Sequence, residues 1–389
     1  DIELEIIHPD DKELLLKNNR TNQINKFIQY TVILVDLFLL FLLFKSGFGI
    51  VSIIFFLILI FISSYGNILF LKKRKLESYN EVGKYSIEEI KEIISEVYGN
   101  INKKEKPNVY IVSLNTVNAF VTESVLKIIP PLNGLYLSED LFKHLKPEEL
   151  KSVIYHELGH FYYYMSPFSK NILPLDIFSV LLPFFLFFAL GLKSIISLFF
   201  LVFFFSAVVR FFTFSNIKDY EYLSDFFSAQ KNGILNMVNT LIVVSKINEV
   251  DSKIIRYIVE RITRDKRLSF KDFDFYYENL RKEIPYEFQN FNEISEIIDN
   301  FLYDEAVDNI PEIDKHNYEY GEIKNWDSFD LNHNFRIEEN EYLYLIDDLI
   351  NNELSDVDNE RQVPDITHPT LRKRILFMEG NKEYLESRV

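Results

Sequence analysis

Four long apolar runs constrain the fold of this sequence more than any other feature. The runs cover approximately Phe27–Phe44, Phe48–Leu71, Ile172–Leu192 and Ser194–Phe214. About 20 helical residues cross a bilayer, and stretches such as LFFLVFFF have no polar face to turn toward water. The alternative, buried helices of a large soluble core, does not account for that missing face. Because only Lys45-Ser46-Gly47 separates the first pair and Lys193 the second, we expect about four transmembrane helices in two hairpins.

Basic residues predict the orientation of these hairpins. They lie next to the runs at Lys72, Lys73, Arg74, Lys75, Lys170, Arg210 and Lys218. By the positive-inside rule, both termini and the segment 72–171 are expected on the cytoplasmic side. Asp36 falls near the middle of the first run, and a charge at that depth marks a candidate functional site. The alternative is a hydrogen-bonded side chain that faces a neighbouring helix.

Charge and cysteine content exclude several classes of function. A formal net charge of −16 argues against a nucleic-acid partner, because phosphates require a basic surface. The sequence has no Cys, which excludes a thiol nucleophile, disulfide bonds and a zinc site built on thiolates.

Periodicity predicts the elements outside the apolar runs. Helical spacing covers Glu81–Gly99, Asn108–Val112 alternates as a strand, and a second strand is expected from Gly134. Pro147 followed by two Glu is a favourable helix start. The acidic region 291–360 is expected to be a solvated face or a long insertion without a catalytic role.

The motif His156-Glu157-Leu-Gly-His160 carries the central chemical signal. Residues four apart share one helix face, so His156 and His160 can bind one metal ion, while Glu157 can reach a water on that ion. Gly159 would allow another element to approach closely, although ordinary tight packing explains a glycine equally well.

A third ligand is available just after the last apolar run, in Asp-Tyr-Glu221-Tyr-Leu-Ser-Asp225. Glu221 would complete a two-His, one-Glu site, and Asp225 on the same helix face would fix the tautomer of a ligand imidazole. The alternative is that the two acids merely cap or solvate a helix. The hairpin between His160 and Glu221 returns the chain to the same membrane face, so both ligand helices can meet there.

Taken together, the motifs resemble the gluzincin membrane peptidases of the HtpX-like and CAAX prenyl protease (Ste-type) family. The pieces are Asn118-Ala119-Phe120 after a strand, the HELGH helix, the EYLSD segment, and His368-Pro-Thr-Leu with Arg374. Ser224 stands where the family usually has Ala, and Lys218 where Arg is common. The acidic 291–360 region has no counterpart in the family.

The resemblance implies further site residues. Asn118, Ala119 and Phe120 would flank the substrate cleft, and His368 would stabilise the oxyanion or approach the metal. Arg374 would orient His368 or hold a carboxylate. A helix-start residue at His368 and a surface residue at Arg374 remain the alternatives.

The predicted fold is a mainly α membrane protein (α+β) whose cytoplasmic zincin-type domain contains a small sheet. The organisation has five parts: a cytoplasmic N-terminal segment (1–26), hairpin 1 (27–71), a first catalytic part with an edge strand and the HELGH helix (72–171), hairpin 2 (172–214), and a second catalytic part (215–389).

The predicted function is that of a zinc metalloendopeptidase with one zinc ion per chain and Glu157 as general base. An extended substrate would add as a strand beside 108–112. The resemblance implies quality control of unfolded or misfolded membrane proteins or peptides at the lipid bilayer. Other divalent ions also fit the ligands.

Two alternative functions remain open on the sequence. One is a peptidase that trims prenylated or signal-type peptides, and the other is a non-catalytic metal-binding membrane adaptor. An intramembrane-cleaving protease fits less well, since its motif would lie inside an apolar run.

Overall fold

Helices make up most of the protein, and they are accompanied by a small sheet. The structure is a computed structural model. It describes residues 11–45, 50–114, 117–123, 129–164, 172–191, 194–214, 217–264, 269, 271, 273–283, 297, 326–351 and 369–382. The helices are α1 (Asp11–Lys45), α2 (Ile50–Phe70), α3 (Ile87–Ile101), α4 (Leu141–His144), α5 (Pro147–Gly159), α6 (Ile172–Ala189), α7 (Ile195–Phe214), α8 (Ile217–Asn232), α9 (Ile234–Arg264), α10 (Phe273–Glu283), α11 (Glu339–Asn351) and α12 (Leu371–Gly380). The strands are β1 (Lys73–Lys75), β2 (Glu81–Val82), β3 (Tyr85–Ser86), β4 (Asn108–Val112), β5 (Ala119–Thr122) and β6 (Gly134–Ser138).

The main sheet has the strand order β1-β4-β6-β5. β4 and β6 run parallel, while β1 and β5 pair antiparallel with their neighbours. The predicted strand Asn108–Val112 is confirmed, but its assignment as an edge strand is wrong. Lys73–Lys75 pairs along its outer side, and the edge on the opposite side of the sheet is Ala119–Thr122.

The predicted helix Glu81–Gly99 begins later than expected. Its first part forms the β2–β3 hairpin, which turns through Gly83 at a φ of 60°. A Cβ at Gly83 would lie 2.5 Å from backbone atoms of Phe142, so the hairpin packs where only glycine fits. The helix proper starts after Ser86, whose side chain and that of Glu89 form a capping box.

Helix α5 begins at Pro147, as predicted, and carries the HELGH motif. The Glu149 carboxylate accepts the Lys146 N–H at 2.7 Å, which satisfies one of the free donors at the helix start. The apolar face of α5 packs with α3 and the sheet into one buried core. At His160 the helix changes to a single π turn, His160–Tyr164, a feature that is frequent at functional sites.

The apolar runs form helices α1, α2, α6 and α7. By length and composition, one helix within the described residues, Asn22–Lys45, could cross a membrane, and two shorter apolar helices cover Leu173–Phe187 and Ile196–Val209. The prediction of four spans in two hairpins is therefore not confirmed. Helix α1 extends the first run back to Asp11, so 35 residues at about 1.5 Å each exceed the thickness of a bilayer core.

Helices α1, α6 and α7 pack against one another. Val32, Leu175 and Val209 form one buried contact, and Leu39 meets Leu181 further along. From the first contact to the second, the residue number increases on α1 and also on α6. The two helices therefore run parallel. Asp36 lies on α1 between Val32 and Leu39. It is 5% exposed, so its side chain is buried.

A second core holds the C-terminal part of the chain. Helices α8, α9, α11 and α12 contribute to it. The prediction of a solvated face over 291–360 is wrong for α11, whose residues Tyr342, Leu345, Ile346 and Leu349 are buried there. The alternative of a long insertion stays a prediction. The second core places α12 against α8.

Candidate metal centre

Helices α5 and α8 run antiparallel and bring the predicted ligands together. Asn232 donates to the Glu148 carbonyl at 2.6 Å, and Ser228 donates to the Ser152 carbonyl at 2.8 Å. The same register continues along both helices to His156 beside Asp225. The chain thus places two helix faces, 65 residues apart in sequence, in direct contact.

The ligand atoms of His156, His160 and Glu221 converge on one point. Nε2 of His156 lies 3.1 Å from Nε2 of His160. Glu221 carboxylate oxygens lie 3.5 Å from His156 Nε2 and 3.2 Å from His160 Nε2. In a tetrahedral zinc site with bonds of about 2.0–2.1 Å, ligand atoms lie about 3.4 Å apart. The three residues therefore fit a zinc ion, with a fourth position left for water or substrate.

An ion-pair chain supports His156 from behind. Its Nδ1 lies 2.8 Å from Oδ1 of Asp225, which is 0% exposed. Arg374 on α12 holds that carboxylate through Nε and Nη2, both at 2.6 Å. A carboxylate beside Nδ1 favours the proton on that nitrogen and leaves the Nε2 lone pair for the ligand point, which is the tautomer that a metal requires.

These contacts set the protonation of the pair. Burial lowers the pKa of His156, but Asp225 and Glu221 outweigh that effect and raise it to about 10. Burial raises the pKa of Asp225, whereas the charge and hydrogen bonds of Arg374, together with His156, hold it below its ordinary value. Asp225 is thus a carboxylate, and His156 must lose a proton to bind a metal.

With this geometry in place, the comparison with known families is decisive. Residues 86–249 match the profile of Peptidase family M48. That segment is similar to family M48. It contains α3, the sheet strands β4, β5 and β6, α5 and α8, and the predicted resemblance to HtpX-like and CAAX-type peptidases is confirmed. Family M48 consists of zinc metallopeptidases, so the match supports a metallopeptidase function for this segment. No match was found among the curated proteins or the solved structures.

Within the M48 segment, Glu157 lies on the ligand side of α5. Its side chain is buried, at 8% exposure. Its charge acts on Arg374 together with those of Asp225 and Glu221, raising the pKa of that guanidinium. A carboxylate in this position is next to the first histidine and near the ligand point, as a proton acceptor for water would be.

Ser224 gives His160 a contact that the sequence did not reveal. Oγ of Ser224 lies 3.0 Å from Nδ1 of His160, on the ring edge opposite the ligand point. The Ala that the family resemblance led us to expect at this position could not make that contact. The only signal in the sequence was the departure itself, because spacing does not show which ring nitrogen a serine on another helix will meet.

Gly159 allows the close approach of the two ligand helices. A Cβ at this position would lie 3.3 Å from Cα of Ser224 and 3.3 Å from Cδ1 of Phe227. That separation is tighter than ordinary van der Waals contact. In this protein the HELGH motif therefore uses a glycine at this position for helix packing.

The Asn118-Ala119-Phe120 element lies at the start of the edge strand β5. The Asn118 backbone is locked to Ser138, with both N–O and N–Oγ distances at 3.0 Å. Ala119 packs toward the core that contains α5. Phe120 faces the other side of the sheet, where its ring stacks on Tyr136 at 4.7 Å between centroids. The substrate role of these residues stays a prediction.

His368 lies outside the described residues, and its catalytic role stays a prediction. The structure begins again at Pro369, and Thr370 caps α12 by accepting the Lys373 N–H at 3.4 Å. Arg374 sits on the first turn of that helix. Of its predicted roles, the structure shows the contact with a carboxylate.

Proposed function

We propose that this chain is a membrane-embedded zinc endopeptidase in which His156, His160 and Glu221 hold the ion and Glu157 is the general base. The convergence of the three ligand groups carries the proposal: the Nε2 atoms of the two histidines lie 3.1 Å apart, and each lies within 3.5 Å of a Glu221 carboxylate oxygen. The carboxylate of Glu157 next to them argues for catalysis, because a purely structural site needs no general base and is usually closed by a fourth protein ligand.

When bound there, zinc supplies a Lewis acid for a water molecule and for the substrate carbonyl. Glu157 accepts the proton of the attacking water and later donates it to the leaving amine. Asp225 keeps His156 in the ligating tautomer, and Arg374 keeps Asp225 ionised by holding both of its oxygens at 2.6 Å. Burial of Glu157 and Glu221 excludes bulk water from competing for these contacts.

An extended peptide is the substrate form that the sheet favours. Because β4 is an internal strand, a substrate cannot pair beside 108–112. The proposed docking strand is instead the edge strand Ala119–Thr122. β5 pairs with β6 on one side. Among the described residues, no strand pairs with its other side. Backbone pairing at such an edge needs little sequence specificity, which suits unfolded substrates.

Membrane embedding rests on α1, α2, α6 and α7. The exposed side chains of α1 include Phe27, Leu34, Phe38 and Phe41, each at least 59% exposed, and a lipid environment would cover them. Parallel packing of α1 and α6 agrees with two successive hairpins of the same orientation. The basic residues 72–75 favour the cytoplasmic side for the metallopeptidase domain. In this setting, quality control of membrane proteins is the proposed role.

The test combines zinc content with cleavage of unfolded casein by the full chain purified in detergent. We expect about one zinc per chain and proteolysis in wild type. Glu157→Gln should retain zinc and lose at least about 100-fold in activity. Glu148→Gln, an exposed carboxylate on the same helix, is the matched control and should remain active.

Two outcomes would redirect the proposal. Zinc binding by all three proteins without cleavage of casein or of a prenylated or signal-type peptide would favour a metal-binding adaptor. Loss of zinc in Glu157→Gln would place Glu157 among the ligands rather than at the general base.

A further inference from the structure

The loop from Asp330 to Glu341 carries a second metal-binding pattern that is independent of the peptidase motif. Its twelve residues read DLNHNFRIEENE. Counted from Asp330, oxygen-bearing side chains stand at positions 1, 3, 5, 9 and 12. Calcium loops of the EF-hand type take ligands from positions 1, 3, 5, 7 and 9 and from a Glu at 12, with position 7 using its backbone carbonyl. Ile337 at position 8 turns inward and is buried.

The backbone of this loop follows the path that such a pattern requires. His333 and Phe335 have φ values of 56° and 66°, and α11 begins at Glu339, two residues before position 12. Position 6 of a calcium loop is normally glycine because of the sharp turn there. Phe335 occupies position 6, and its backbone has the left-handed conformation that the turn requires. The residue type therefore departs from the calcium-loop pattern, whereas the backbone conformation follows it.

Backbone N–H groups of the loop bind the carboxylates at its first and last positions. The Asp330 carboxylate accepts the N–H groups of Asn334 and Phe335 at 3.0 and 2.6 Å. The Glu341 carboxylate accepts those of Asn332 and Glu338 at 3.1 and 2.8 Å. The chain therefore wraps around its own carboxylates, although Asp330 and Glu341 are eleven residues apart.

The charge of these two carboxylates is not balanced by side chains. Asp330 and Glu341 are 5% and 0% exposed, and neither forms an ion pair with a Lys or Arg in the part of the chain that the structure describes. The basic residue within the loop, Arg336, turns away and binds Glu149 on α5. Buried charges in proteins are either paired or coordinate metals. Two buried, uncompensated carboxylates point to a cation.

We propose that Asp330–Glu341 binds a calcium ion through the side chains of Asp330, Asn332, Asn334, Glu338 and Glu341 and the carbonyl of Arg336. The ligands are all oxygens, and Glu341 stands at position 12, where calcium loops of this type carry their bidentate Glu. A flexible all-protein set of six or more oxygens suits Ca²⁺, whereas Mg²⁺ prefers fewer protein ligands and retained waters. Asn332, Asn334 and Glu338 are exposed, so the ion can enter from solvent.

The loop is joined to the catalytic helix by its own side chains. Arg336 binds the Glu149 carboxylate, with Nη2 at 3.0 Å, and reaches the carbonyl of His144 at 3.3 Å. The Ile337 N–H and carbonyl bond to the Asn239 side chain on α9 at 2.8 and 2.9 Å. Calcium that fixes the Arg336 carbonyl also fixes the start of α5. It therefore stabilises the domain without touching the zinc ligands.

Terbium luminescence tests the site in the full chain with zinc held at saturation. Trp326, the single tryptophan of the sequence, precedes Asp330 by four residues and serves as the energy donor to bound Tb³⁺. We expect one saturable Tb³⁺ per chain that Ca²⁺ displaces and Mg²⁺ displaces poorly. Glu341→Gln should weaken binding at least about 100-fold and Asn332→Ala at least about tenfold, since each removes a ligand.

Glu339→Gln is the matched control. The substitution removes an exposed loop carboxylate at position 10, which is not a ligand position. It should bind Tb³⁺ within about twofold of wild type. Asn332 is exposed, so Asn332→Ala keeps the test decisive if Glu341→Gln does not fold. Calcium should raise the melting temperature of wild type and not of Asn332→Ala. Unchanged Tb³⁺ binding in Asn332→Ala, equal loss in Glu339→Gln, or equal displacement by Mg²⁺ would overturn the assignment. None of these measurements depends on proteolysis.

Discussion

The two proposed metal sites of this protein are built in opposite ways. The zinc ligands come from two helices and are separated by a predicted membrane hairpin, yet they meet within 3.5 Å. The calcium ligands come from twelve consecutive residues and are held by their own backbone. The first site is positioned by packing between α5 and α8, and the second by the local turn.

The difference lies in how each site balances its charge. Arg374 compensates Asp225 beside the zinc ligands, with two contacts of 2.6 Å. Backbone N–H groups alone receive Asp330 and Glu341 in the loop. We therefore expect the zinc site to keep its geometry without metal, whereas the loop depends on its ion. The predictions below separate the two sites.

The largest effect is expected from Arg374→Ala. It removes the guanidinium that holds both oxygens of Asp225, which is 0% exposed, and breaking a buried ion pair in this way costs about 3–5 kcal/mol. We expect that fall in the free energy of unfolding, measured by chemical denaturation of the zinc-stripped protein. Lys373→Ala, at the exposed neighbouring position, should change it by less than about 0.5 kcal/mol. A matching loss of Tb³⁺ binding would show that the two sites are not independent.

The pH dependence of zinc affinity is expected to be steep and that of the loop flat. Because the pKa of His156 is raised to about 10, zinc must displace one proton at neutral pH. Affinity should then rise about tenfold per pH unit from pH 6 to 9. The bound proton stabilises the zinc-stripped fold fully below about pH 6.5, and this contribution is lost as the pH rises through about 10. Competition with a coloured chelator measures the slope, and a slope of zero contradicts the His156 assignment.

Ser224→Ala tests the contact behind His160. Loss of the partner 3.0 Å from Nδ1 should weaken zinc binding about tenfold, which is the usual lower range for such supporting contacts. Ser228→Ala on the same helix, whose hydroxyl bonds to Ser152 at 2.8 Å, is the control and should leave zinc affinity unchanged. Equal effects in both variants would indicate general damage to α8.

The smallest effect is expected from Gly159→Ala. The added Cβ meets Ser224 and Phe227 at 3.3 Å, so overpacking of about 1–3 kcal/mol outweighs the gain of about 1 kcal/mol in helix propensity. Gly99→Ala has nothing within 4 Å and should stabilise the protein. Thermal unfolding of both variants gives the comparison, and stabilisation by Gly159→Ala would contradict the close packing of α5 and α8.

The sequence predicted the metal site better than it predicted the sheet. His156 and His160 are four residues apart on one helix, and a fixed spacing determines their common face. Strand order depends on contacts between distant segments. The segment Lys73–Lys75 is charged and lacks alternation, so it indicated membrane orientation rather than a strand. Consequently β4 was assigned to the edge, although β1 covers it.

The sequence pattern also failed to predict two other features, the β2–β3 hairpin and the loop 330–341. The apolar spacing of α3 concealed the hairpin before it, since only Gly83 signalled a turn. The loop 330–341 has its ligands at regular spacing, but Phe335 replaces the glycine that identifies such loops. Its left-handed φ of 66° becomes visible only in the structure.

X-ray absorption at the zinc edge tests the central claim most directly, because it reports the ligands of the ion itself. For the full chain with one zinc, the account predicts four nitrogen and oxygen ligands at about 2.0–2.2 Å, two of them imidazoles. In His156→Asn, the imidazole signal should fall to one. A six-oxygen shell, or two imidazoles that persist in His156→Asn, would show that zinc binds elsewhere and would contradict the assignment of His156, His160 and Glu221.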